Sequence, residues 1–153
     1  MERNVSLKTS TSRRWCVLWL VCLALPMLAL TAEPRLALVT SSASPLDEIP
    51  AGEVRRLYLG IPVVVRGHEV IPLRNHSDSV AHEIFLQRVL FMSAQAYERQ
   101  MAARIFRGGG NELRRYDTVQ QLVEALARDP WAVSYMPADM AAHLPGIKTI
   151  GGL

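Results

Sequence analysis

Val70-Ile-Pro-Leu-Arg-Asn-His-Ser-Asp-Ser-Val-Ala-His-Glu-Ile-Phe85 changes its period half-way along. Glu69 to Leu73 is β-prone, and a proline inside such a run is tolerated near a strand end or on a sheet edge. From Ser79 the apolar residues Val80, Ile84, Leu86, Val89 and Leu90 can line one broad helical face. A strand turning directly into an amphipathic helix is the building unit of layered α/β domains.

The flanking segments repeat that alternation. Upstream, Arg35 to Thr40 reads as a strand, and Pro50 opens a helix carrying Val54, Leu57 and Tyr58, stopped by Gly60. Val63 to Val65 is a short β-prone run followed by a turn at Gly67. Downstream, Ser93 caps a helix with Ala96, Tyr97, Met101 and Ile105, and "RGGGN" (Arg107 to Asn111) is a loop. Thr118-Val-Gln-Gln121 fits a capping box and starts a helix with Leu122, Val123 and Leu126, ended before Pro130. Trp131 to Met136 is a further strand, and Ile147 to Ile150 a last one. The expected fold class is a single three-layer α/β lobe with a mainly parallel sheet.

The first 32 residues read differently. Arg13 and Arg14 precede an apolar run from Trp15 to Leu30, and Ala32 precedes a polar start. That order describes a secretory signal peptide over 1–32, cleaved after Ala32, with the domain over 33–153. A retained membrane anchor is the alternative, although roughly 20 apolar residues are needed for a span and Pro26 interrupts this run. Residues 33–153 keep 13 of the 17 Lys+Arg and 13 of the 14 Asp+Glu, so their formal net charge is zero. The compositional case for a nucleic-acid-binding face disappears with it. Cys16 and Cys22 both lie in the signal, which leaves the domain without disulfide or thiolate chemistry. A periplasmic or otherwise exported location follows from the signal reading.

The chemistry-bearing residues concentrate at the strand-to-helix turn. A helix starting near Ser79 would present unpaired N–H groups, with hydroxyl donors from Ser77 and Ser79 and a guanidinium from Arg74 at the strand end. This is an arrangement for a small oxyanion. The competing reading has Asp78 or Ser79 capping the helix and occupying those donors itself. His76, Asp78, His82 and Glu83 could be assembled into a metal set, but no C-x-x-C or H-E-x-x-H spacing supports one, and no metal or cofactor is expected. A Ser-His-Asp triad would need sequence neighbours to reach triad geometry without any G-x-S-x-G elbow, so no catalytic residue is assigned. Gly108 and Gly110 could bring backbone amides to a ligand or serve as a helix stop and connector. Trp131 and Tyr135 are expected as core or cleft wall.

Leu57-Tyr58-Leu59-Gly60, Phe85, Arg88-Val89-Leu90, Met92-Ser93, Ile105-Phe106-x-Gly108-x-Gly110 and Asp129-Pro130-Trp131-Ala132-Val133-Ser134-Tyr135 occur in an order that resembles a known family. The chain is similar to the small phosphate ABC-transporter substrate-binding-like proteins of the type 2 periplasmic-binding-protein superfamily. The resemblance implies one lobe of such a protein and binding of phosphate or another small anion, in connection with ABC-type transport. It implies contacts from Arg74, Ser77 and Ser79, with Gly108 and Gly110 bordering the pocket, and no enzymatic activity. The alternative is a lobe-like scaffold for an envelope protein partner, such as a membrane sensor or transporter component, with no solute bound. A homodimer is a further expectation if apolar residues are left exposed near a sheet edge.

Overall fold

In β1 (Leu36–Ser41) all six residues are buried, because both faces of this strand are covered. Leu36 and Leu38 point into one apolar cluster, and Ala37 and Val39 into another. A period of two inside a strand sends alternate side chains to opposite faces, so two clusters mean two covering layers. The computed structural model describes residues 34–107 and 113–153. The 1–32 segment, read from sequence as a signal peptide, and the Gly108 and Gly110 positions lie outside the described residues.

The first layer is built by α1 (Ala51–Tyr58), α2 (Ser79–Phe85) with the wider π turn Leu86–Leu90 that continues it, and α3 (Ala94–Phe106). Val54, Leu57 and Tyr58 of α1 pack there with Phe85, Leu86, Leu90, Tyr97 and Met101. The second layer is α4 (Val119–Arg128) and α5 (Ala138–His143), which contribute Leu122, Ala125, Leu126 and Ala141. The α/β lobe with helices on both sides of a sheet is therefore as the sequence predicts.

Strand direction needs a correction. The four-stranded sheet runs β4 (Ile71–Pro72), β7 (Ala132–Pro137), β1, β8 (Ile147–Gly152). β4 pairs parallel with β7, but β1 pairs antiparallel with both β7 and β8. The sheet is mixed rather than mainly parallel. Helical crossovers do make β4, β7 and β8 run the same way, as alternation predicts. Alternation reports which strands are linked, however, not which lie side by side. Here the first strand is inserted, reversed, between β7 and β8.

The remaining strands are short. β2 (Val64–Val65) and β3 (His68–Glu69) form a hairpin. Its two central residues, Arg66 at φ 53 and Gly67 at φ 83, are both left-handed, as the type I′ turn of a two-residue hairpin requires. β5 (Arg74–Asn75) pairs parallel with β6 (Arg115–Tyr116). β4 and β5 are one extended run read from its two sides. Ile71 and Leu73 donate their N–H groups to Trp131 and Val133 of the β7 side, while Arg74 and His76 donate to Arg114 and Tyr116. Pro72, which has no N–H, falls on the side facing away from β7, so no bond to that strand is lost.

Candidate binding site at the β5–α2 turn

Asn75 organises the turn. It is fully buried, and its Nδ2 donates to the Tyr135 carbonyl of β7 at 2.9 Å. Its Oδ1 accepts from the Ser77 backbone N–H at 3.0 Å and from the Ser77 hydroxyl at 2.6 Å. That is an Asx turn, in which a side-chain carbonyl takes the place of a backbone one and redirects the chain out of the strand. Asp78 follows in extended backbone, its Oδ1 accepting from Val80 N at 2.9 Å and Ala81 N at 3.0 Å. The helix start is thus capped internally by a carboxylate. Asp78 caps the helix, as one of the two readings of this turn expects. Ser77 has its hydroxyl committed to Asn75, and Ser79 is exposed as the first helical residue.

Arg74 is buried, 5% exposed, at the end of the strand. Its Nη1 donates to Glu98 Oε1 of α3 at 2.9 Å and its Nε to the Leu113 carbonyl at 3.2 Å. The guanidinium is therefore held in one place by the strand, by α3 and by the segment leading into β6. The Leu113–Tyr116 segment also lines an open depression of about 360 Å³ that includes Arg114 and Arg115.

His76 and His82 meet across the turn with ring centroids 4.1 Å apart. His82 Nδ1 lies 2.6 Å from the Tyr135 hydroxyl, which also lies 3.2 Å from the Asn75 carbonyl. One proton arrangement satisfies both contacts: Tyr135 donates to Asn75, and a neutral His82 donates from Nδ1 to Tyr135. Burial first, then the charges of His76 and Arg74, pushes the His82 pKa down to about 4. His76 is likewise held below its usual value by burial, then by Arg74 and Arg115, with Asp117 and Glu98 acting the other way. Its Nε2 is buried and has no hydrogen-bond partner among the described residues. Tyr135 is fully buried and stacks face to face on Phe85 at 3.7 Å, a core position as expected. Trp131 is half-buried and stacks on His68 at 4.3 Å.

The four residues of the paper metal set disperse. His76 and His82 converge, Asp78 turns to its cap, and Glu83 accepts from Gln87 on the exposed side of α2. Among the described residues no group of three or more potential ligands comes together. Sequence reasoning missed Asn75, whose Asn-x-Ser spacing at a strand exit carries the Asx-turn signal, and Glu98, which carries none.

No protein-family model matches the chain, and no curated protein does either. Among solved structures, an ABC-type phosphate transport receptor from Vibrio cholerae superposes on 76% of this chain with a TM-score of 0.53 at 11% identity. The chain shares the backbone fold of part of that receptor. The match covers 45% of that receptor, so the chain spans less than half its length. At this identity the likeness concerns the path of the backbone alone.

Proposed function

We propose that this chain is an exported, non-catalytic solute-binding-type lobe that takes a small oxyanion at the β5–α2 turn in connection with ABC-type transport. The observation that carries the reading is Arg74: a buried arginine, 5% exposed, at a strand end, whose Nε bonds the carbonyl of Leu113, one of the residues that line a surface depression. A buried cation at such a place favours an anionic oxygen strongly, because little water competes for it. The fold shared with a phosphate transport receptor makes phosphate the first ligand to test. The contact set differs from the helix-amide cradle expected above. Asp78 occupies the amides of Val80 and Ala81, so the donors are Arg74 and His76 Nε2, with Ser79 at the exposed rim. Ser77 would contribute only by exchanging Asn75 for the ligand.

Melting curves of the purified protein in phosphate, sulfate and acetate test this, since a ligand that binds the native state raises the melting temperature. The expected result is a rise with phosphate that is lost in Arg74→Lys and reduced in His76→Ala. An unchanged melting temperature in roughly millimolar anion overturns the proposal.

A second reading has one specific observation in its favour. Phe91 is 70% exposed in left-handed backbone at φ 57, and Phe106 is 90% exposed. A large aromatic in that conformation is uncommon, and exposed aromatics favour a protein partner or a second copy. Among the described residues, the six-residue β8 is the terminal strand of its sheet, an edge of the kind that pairs with another chain. Concentration-dependent sizing, and co-purification with an envelope component lost in Phe91→Ser, distinguish this scaffold reading from solute binding.

A further inference from the structure

Arg74 and Glu98 form an ion pair whose two halves are unequal. The arginine side chain is 6% exposed, whereas that of Glu98 is 56% exposed. Arg74 is fixed: its backbone N–H bonds Arg114, its Nε bonds Leu113, and it stands within a paired strand. Glu98 is the next residue after Tyr97, whose buried hydroxyl donates to the Tyr58 carbonyl and so holds α3 in place. Its carboxylate can therefore swing into solvent by a rotamer change while the helix stays where it is.

We infer that the Glu98 carboxylate is an internal stand-in for the ligand, a latch that occupies the Arg74 position and is exchanged for an incoming oxyanion. The inference rests on the oxyanion reading above and adds to it how the site is regulated. The chemistry of the exchange is symmetrical. One anionic oxygen at 2.9 Å from Nη1 leaves and another arrives, so the buried guanidinium keeps a charged acceptor throughout. A ligand must therefore compete with a tethered carboxylate, whose effective concentration is of millimolar order. Tight binders are those that add a contact Glu98 cannot make, and the unpartnered Nε2 of His76, two residues on from Arg74, would supply one. The site accordingly favours tetrahedral oxyanions such as phosphate over simple carboxylates, which only replace what Glu98 already offers.

Calorimetric titration of the full chain with phosphate and with acetate, in wild type, Glu98→Gln and Glu98→Ala, tests the latch. The glutamine keeps the size of the side chain and a neutral acceptor but loses the charge. Both variants are expected to bind phosphate roughly tenfold or more tightly than wild type, since the competing bound state is removed. In Glu98→Ala, acetate is expected to gain measurable binding that it lacks in wild type. The same two anions should raise the melting temperature of Glu98→Ala by several degrees more than that of wild type. Phosphate affinity that is equal in wild type and both variants overturns the latch while leaving anion binding intact. Absence of binding in all three proteins overturns the latch and the oxyanion reading together.

Discussion

Asp78 decides what the turn can do. Its carboxylate holds the first free amides of α2, so a second anion is repelled from the very donors that a helix start would otherwise offer. Removing an N-cap costs about 1 kcal/mol, so Asp78→Ala should lower stability by that order in denaturant titrations. Asp78→Asn, which caps without charge, should retain most of it. His82 makes a separate prediction. Its pKa is about 4 in the fold against 6.5 for the ordinary side chain. Between those values the unfolded chain binds a proton that the folded one refuses, so stability falls as pH drops from about 6.5 toward 4. His76, also held low, acts in the same direction. Melting temperatures across that range should decline in wild type and decline less in His82→Gln; an identical slope in the variant would contradict the assignment. Neither the Tyr135 partner of His82 nor the Glu98 partner of Arg74 was legible from sequence. His82 reaches Tyr135, 53 positions away, and Arg74 reaches Glu98, 24 positions away, and no local pattern encodes such distances.

At the scale of elements, local chemistry was a good guide wherever caps and turns are made within a few residues. Ser93 and Thr118 accept from the amides of Ala96 and Gln121, as their positions before apolar runs predict. Gly60 stops α1 at φ +79, and a Cβ there would lie 1.4 Å from the Arg104 guanidinium. Gly60→Ala should therefore destabilise by about 1–2 kcal/mol, from left-handed strain plus displacement of Arg104, measured by chemical unfolding. Two elements escaped the sequence reading for identifiable reasons. α5 is six residues long, begins directly from Pro137 and has no side-chain cap to announce it. β6 is two residues long, Arg115 and Tyr116, with no apolar alternation to distinguish it from loop. The π turn at Leu86–Leu90 was invisible too, because its residues still fall on a helical face.

For the whole molecule, the layered α/β arrangement was legible and the direction of β1 was not. Buried strands read as apolar runs whichever way they lie, so neither β1 nor β7 carries a sign of its neighbour's orientation. The two clusters on either side of β1 make the lobe a close-packed unit. Leu38 and Leu122, both fully buried, represent the two sides. Replacing either with alanine should cost about 2–5 kcal/mol, and comparable losses at both would show that the layers unfold together. What the lobe adds to such a scaffold is one buried cation at a strand end, with a neutral imidazole beside it. Backbone amide spectra during a phosphate titration test that claim most directly. The account predicts saturable shifts centred on residues Arg74 to Asp78 and on Glu98. Shifts absent from those residues, or spread without saturation over exposed arginines elsewhere, would contradict it.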